Sequence, residues 1–142
     1  TGGPFVPSKK ERVQKMLKLA ELKPSQKVYD LGCGDGRIVR AAARQGAVAI
    51  GYEISIGAWF IAKIWSAFTK NATIKYGNFW QHDFSDADVI FCYLLGPTMR
   101  KFAKEIWPTL KPGTKVISNG FPITTMEADQ QLGKVYLYEK TS

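Results

Sequence analysis

The sequence predicts an α/β fold: a compact, twisted, mainly parallel sheet with helices on both faces and a C-terminal antiparallel hairpin. Three observations carry this expectation. Short apolar runs alternate with helix-length segments along a chain of 142 residues, the pattern left by parallel strands joined through crossover helices. The stretch Val28-Tyr29-Asp30-Leu31-Gly32-Cys33-Gly34-Asp35-Gly36-Arg37-Ile38 reads as a strand, a turn with glycine at alternate positions, and the start of a helix. The run that follows Asp88 as far as Leu95 is apolar throughout, as suits a central strand buried on both faces.

In chain order, residues 1–8 hold Gly2, Gly3, Pro4 and Pro7 and form an extended arm, not an element. The rest, 9–142, is one domain, because this length supports a single core and no second one. Ser8 and Glu11 have capping-box spacing. The helix they open runs to residue 22, with Val13, Met16, Leu17 and Ala20 on one face and Lys9, Lys10, Arg12, Lys15 and Lys18 filling the other. Lys23-Pro24 stops it. A strand over 27–31 leads through the glycine turn to a helix over 37–45, closed by Gly46 at the position glycine favours. Strand 47–53 and helix 56–70 follow, then a short strand over 73–76 and the central strand over 88–95. Helix 97–110 ends in the turn Lys111-Pro112-Gly113. After a strand over 115–118 too little chain remains for another crossover helix. Residues 124–130 and 134–139 are therefore expected to pair as the edge hairpin, turning at Leu132-Gly133.

Composition narrows the function classes. Hydrophobic content of 45% and charged content of 23% are those of an ordinary globular protein. No apolar run approaches the ~20 residues of a membrane-spanning helix, and no signal peptide is visible. Cys33 and Cys92 make no disulfide framework and fit a reducing, cytoplasmic compartment. No spacing or Cys/His cluster suits a metal. The net charge of +8 points to an acidic partner or surface. The chain begins at Thr1, so an anchor or targeting segment upstream of it is expected to lie outside this sequence.

The glycine turn carries the chemistry. A strand that reverses into a helix needs positive φ, and a ligand must approach bare backbone there. Gly32-x-Gly34-x-Gly36 is one residue tighter than the dinucleotide fingerprint. Asp30 and Asp35 would repel a pyrophosphate but attract a ligand bearing an ammonium and a sulfonium. Glu53 closes the next apolar run roughly twenty residues on, where doubly wound folds keep the carboxylate that grips ribose hydroxyls. Together these residues resemble the signature of class I S-adenosylmethionine (SAM)-dependent methyltransferases; a different nucleotide is the alternative.

A narrower resemblance rests on the arm Pro4-Phe5-Val6-Pro7-Ser8, the loop 28–38, Gly51-Tyr52-Glu53 and Gly120-Phe121-Pro122. The combination is similar to the small protein-lysine methyltransferases related to the ATP-synthase c-subunit lysine methyltransferase and to the broad-specificity archaeal enzymes. It implies a Rossmann-like class I methyltransferase fold. It also implies that Asp30, Gly32, Gly34 and Gly36 hold the methionine end of SAM, that Glu53 holds the ribose, and that Phe5 and Val6 close over the site. Asn78 stands where such enzymes commonly keep an acid for the adenine amine, with Phe79 and Trp80 as an aromatic wall. Cys33, Asp35 and Ile54 complete the expected cofactor-binding set. Tyr93 and Asn119 are the candidates for orienting the substrate amine, and the partner implied is a protein presenting lysine.

Three further expectations come from the residues. Cys33 reads as structural, and His82, the sole histidine, as a solvated loop residue. Helix 56–70 spreads Trp59, Phe60, Ile61, Ile64, Trp65 and Phe68 around its circumference, so one tryptophan should be poorly covered by the sheet. With the basic face of the first helix, this suggests contact with an anionic membrane or a membrane-embedded substrate; cover by the arm or by a second chain is the alternative. Two rival functions stay open, a non-catalytic SAM- or nucleotide-binding module and a methyltransferase acting on nucleic acid or a small molecule. Against nucleic acid stands Cys92-Tyr93-Leu94-Leu95, where amino-methylating enzymes of that class usually carry Asn/Asp-Pro-Pro-aromatic.

Overall fold

The computed structural model describes residues 9–142; the arm, with Phe5, Val6 and the Ser8 cap, lies outside the described residues. In chain order come α1 (Lys9–Ala20), β1 (Lys27–Leu31), α2 (Arg37–Arg44), β2 (Val48–Glu53), α3 (Ile56–Ser66), β3 (Ala72–Tyr76), β4 (Val89–Cys92), α4 (Gly96–Glu105), a 3-10 turn (Trp107–Thr109), β5 (Lys115–Asn119), β6 (Gln130–Leu132) and β7 (Val135–Glu139). The sheet has seven strands in the order β3-β2-β1-β4-β5-β7-β6. The first five strands of the chain run parallel, while β7 is antiparallel to β5 and β6 to β7.

Alternation along β1 sets up the two faces. Val28 packs with Met16, Leu19, Val39, Ala42 and Ala62, under α1, α2 and α3. Tyr29 and Leu31 point the other way, into a core with Ile90, Met99 and Phe102 under α4. Asp30 shares the face of Val28, so its carboxylate is directed to the side of α1 and α3. Chain order reverses between β1 and β4, and register aligns Leu31 with Tyr52 on one side and Cys92 on the other. The carboxyl ends of β1, β2, β4 and β5 thus converge at a topological switch point, where open α/β sheets bind ligands.

Helix α1 ends at Ala20, two residues before the expected stop, and four other boundaries shift further or change the architecture. The α3 helix stops at Ser66 and not at 70, because Ala67 and Thr69 donate to Ile64 and Ser66 three residues back and Asn71 takes a positive φ of 64°, conditions that tighten and end a helix. Helix α4 ends at Glu105, and the chain continues as a 3-10 turn containing Pro108, since proline has no N–H to continue the α ladder. Strand β4 ends at Cys92 because its partner β1 ends at Leu31, which leaves Tyr93 to Leu95 outside the ladder. The hairpin forms at the sheet edge, yet its first strand is only Gln130–Leu132 and its turn is Gly133-Lys134. Residues 124–129 are not strand. There Asp129 accepts the Glu139 N–H on its carboxylate at 2.7 Å, and the Ile123 N–H donates to the Tyr138 hydroxyl at 2.8 Å.

Candidate functional site

The loop after β1 folds over the end of β2. The N–H groups of Gly32 and Cys33 both donate to the Tyr52 carbonyl, at 2.9 and 2.8 Å. Directly beneath sits Gly51, where a Cβ would lie 2.7 Å from Val39 Cγ2 and 2.8 Å from both Cβ and Sγ of Cys33. The contact needs hydrogen at that position. Gly51→Ala is therefore expected to destabilise the protein by about 1–3 kcal/mol, the usual cost of overpacking a closed site. An unchanged urea midpoint in the variant would reject this account of the loop.

Glu53 ties this loop to the next one. Its Oε1 accepts the Gly34 N–H at 2.8 Å and its Oε2 accepts the Ser55 N–H at 2.9 Å. Asp35 turns to α2 instead: it accepts the Arg37 N–H at 3.0 Å and pairs with the Arg37 guanidinium at 3.1 Å. The N–H that opens α2 is thus already occupied by a carboxylate of the same chain, which disfavours an anionic ligand there. Asp30 is buried, and its carboxyl is pushed up to about 8, first by burial and then by the negative charges of Glu53 and Asp35. Three acids thus concentrate negative potential around one loop, and a cationic group placed there would relieve it.

A cavity of about 360 Å³ opens beside the loop, within the size range of small-molecule sites. Asp30, Gly32, Cys33, Gly34 and Asp35 form its floor, and Tyr93 and Asn119 reach it from the ends of β4 and β5. At Gly32 and Gly34 a Cβ would meet nothing within 4 Å, so bare backbone faces open space. Gly36 differs: it is buried with a φ of 81°, and Arg40, Ser66 and Ala62 crowd it, so it serves the turn and not the cavity. Glu53 touches the floor through Gly34 but does not line the cavity, and neither do Ile54, Asn78 and Phe79. Ile54 is exposed, Asn78 accepts the Trp80 N–H at 3.0 Å, and Phe79 is buried with its ring 4.6 Å from that of Trp80. These four lie on the side of β2 and β3, where the resemblance puts ribose and adenine.

Several residues depart from expectation. Tyr93, within the run expected to be a strand buried on both faces, is instead 55% exposed, stacked 6.1 Å from Phe121, with the Arg12 guanidinium 6.0 Å from its ring. His82 is not a free loop residue but only partly exposed. Its Nδ1 lies 2.8 Å from the Tyr52 hydroxyl amid Tyr29, Tyr52 and Phe84 on the α4 side of the sheet. Burial first, and then Lys75, hold its pKa below the usual imidazole range. Burial, Asp30 and Glu53 raise the Cys33 thiol far above its ordinary range, so it stays protonated and packs. The pattern missed Arg12, Val13 and Met16 of α1 and Ala58 and Ile61 of α3, which supply the cavity wall. Arg12 was hidden because it sits at the border of the basic and apolar faces of α1.

Known proteins resemble this chain in sequence and in fold. A family model described as the ANTKMT methyltransferase domain matches residues 30–130. Among curated proteins, a protein-lysine N-methyltransferase of Saccharolobus islandicus is 36% identical over 84% of this chain and 78% of its own length. The ATP-synthase c-subunit lysine N-methyltransferase of Mus musculus is 28% identical over 92% of this chain, which spans 54% of that longer protein. Among solved structures, an RNA methyltransferase from Salinibacter ruber in complex with S-adenosyl-L-homocysteine superposes with a TM-score of 0.85 at 33% identity, covering 96% of this chain and 94% of that one.

Proposed function

The chain belongs to the ANTKMT methyltransferase domain family, and we propose that it transfers the methyl group of SAM to lysine side chains of a protein. The residues present fit the cofactor. The buried Asp30 carboxylate beside open backbone at Gly32 and Gly34 suits an ammonium, and Glu53 suits ribose hydroxyls. Held there, SAM would supply a methyl group made electrophilic by its sulfonium, and the chain's own part is to bind it, to keep water out and to orient an uncharged amine towards it.

The observation that carries the lysine reading is the wall above the loop. Tyr93 and Asn119 bring a hydroxyl and an amide to the cavity, with apolar Val13, Ala58 and Ile61 around them. A lysine amine has a reference pKa of ~10.4 and attacks only when neutral. The apolar wall, the Arg12 guanidinium at the cavity edge and the positive charge of bound SAM would push that value down against the carboxylates of the floor, so a strong general base is not required. Holding the amine in line then supplies much of the acceleration. The named activities of the Saccharolobus islandicus and Mus musculus relatives support the same acceptor.

A second reading, methyl transfer to RNA, is favoured by the description of the Salinibacter ruber structure and by the +8 charge. Cys92-Tyr93-Leu94-Leu95 after β4 speaks against amino-methylation of a base. We place the enzyme in a reducing, cytoplasmic compartment beside a membrane; the buried, unpaired Cys33 and Cys92 support the compartment. The deciding experiment incubates the protein with methyl-labelled SAM, total protein and total RNA. Label released as methylated lysine after hydrolysis is the expected result. Label in RNA alone would transfer the assignment to the second reading, and SAM binding without any transfer would reduce the chain to a binding module.

A further inference from the structure

Helix α3 is apolar on the side turned away from the sheet. Ala62 and Ser66 face inward and are buried, and Trp59 leans on the core with its indole N–H buried and unpaired. Ile56, Phe60, Ile64 and Trp65 stand outward, Trp65 55% exposed, and Phe68, just past the helix, is fully exposed. Isolated exposed apolar residues are ordinary, but a contiguous set of this size marks a contact surface.

Past the Glu53 carboxylate, which bonds the Ser55 N–H at the start of α3, charge along this segment has one sign. No Asp or Glu occurs from Ile54 to His82, whereas Lys63, Lys70 and Lys75 do and are exposed. The Lys63 ammonium lies 5.0 Å from the Trp59 ring and the Arg40 guanidinium 5.7 Å from the Trp65 ring. An exposed tryptophan with a cation over its ring, on an apolar face flanked by lysines, is the arrangement of helices that lie in an anionic lipid interface. Among the described residues no helix is long and apolar enough to cross a membrane.

We propose that the outward face of α3 docks on an anionic bilayer surface. Ile56, Phe60, Ile64, Trp65 and Phe68 would enter the acyl boundary, and Lys63 and Lys70 would meet lipid phosphates. The same helix lines the cavity through Ala58 and Ile61, so docking would hold the cavity mouth beside the lipid surface. The orientation of the mouth rests on the methyltransferase reading; the docking itself does not.

Co-sedimentation with vesicles of phosphatidylcholine containing about one third phosphatidylglycerol tests the proposal. Binding at low salt is expected, weakened by high salt and by omission of phosphatidylglycerol. The double variant Trp65→Ser with Phe68→Ser should bind about tenfold or more weakly, since both side chains would otherwise leave water. In parallel, both proteins methylate a soluble lysine peptide, and the double variant keeps the wild-type rate because neither residue lines the cavity. A wild-type protein that stays in the supernatant at low salt overturns the proposal. So does equal vesicle binding by the double variant, or light scattering that shows a second copy covering the face. Loss of peptide methylation in both proteins would count against the lysine assignment alone.

Discussion

Glu53→Ala is expected to weaken SAM binding by about a hundredfold while leaving the protein folded. The carboxylate accepts two backbone N–H groups, from Gly34 at 2.8 Å and Ser55 at 2.9 Å, and so joins the glycine loop to the loop that opens α3. A hydrogen bond to a charged group contributes about 1.5–3 kcal/mol. Glu53 is only half buried, which puts each bond toward the low end because water replaces part of it. Two such bonds and the expected grip on ribose amount to about 3 kcal/mol, or roughly a hundredfold in Kd. The cost falls on ligand binding more than on folding, since an open loop can hydrogen-bond to water. Glu53→Gln keeps one acceptor oxygen but sets an amide NH2 against a backbone N–H, so an intermediate loss of about tenfold is expected. Calorimetry that finds wild-type affinity in Glu53→Ala would show that the bridge does not organise the site.

Much of the fold was legible because its signals were local. Strand β1 coincides with its expected bounds, α2 is closed by Gly46 at a φ of 94°, and the hairpin sits at the edge because no chain remained for a crossover. Errors came where tertiary partners decide. Leu94 and Leu95 extend an apolar run, but β1 offers no ladder beyond Leu31, so hydrophobicity overstated β4. Residues 124–129 were expected to pair as a strand, yet the segment is held at its two ends by side chains instead: the Ile123 N–H donates to the Tyr138 hydroxyl, and the Asp129 carboxylate accepts the Glu139 N–H. A single sequence does not display such long-range partners.

The site divides in the same way. Asp30, Gly34, Asp35 and Glu53 are close in sequence and come together as their spacing suggested. Tyr93 and Asn119 reach the cavity because one directly follows β4 and the other closes β5, neighbouring strands whose carboxyl ends meet at the switch point. Arg12, Ala58 and Ile61 belong to helices whose cavity side is set only when α1 and α3 dock, and periodicity marks a buried stripe without saying which end of it faces a void. His82 was misread because a polar loop sequence conceals an aromatic cluster assembled from β1, β2 and the segment before β4.

Asp30 leads to the second large effect, a steep pH dependence of SAM affinity. Its carboxyl is pushed up to about 8 by burial, with Glu53 and Asp35 adding to the shift. In the ligand-free protein it is therefore mostly protonated at neutral pH, whereas in the unfolded chain it titrates near the ordinary aspartate value of 3.8. A folded pKa raised above the unfolded one contributes stability that is complete below about pH 4 and is lost as pH rises to about 8. The ligand-free protein should accordingly lose thermal stability between about pH 5 and 8, and Asp30→Asn should flatten that slope. The ammonium of SAM requires the ionised carboxylate, so binding releases a proton below pH 8. Affinity is expected to rise about tenfold from pH 6 to pH 7, then turn over near 8, where an α-amino group of pKa ~7.7–8.0 loses its own charge. Glu53→Ala removes one of the charges that raise Asp30 and should move the rise to lower pH. Calorimetry in buffers of different ionisation enthalpy reads the proton count directly. Binding that releases no proton at pH 7, with a flat affinity profile in the wild type, would show that Asp30 does not hold the ammonium.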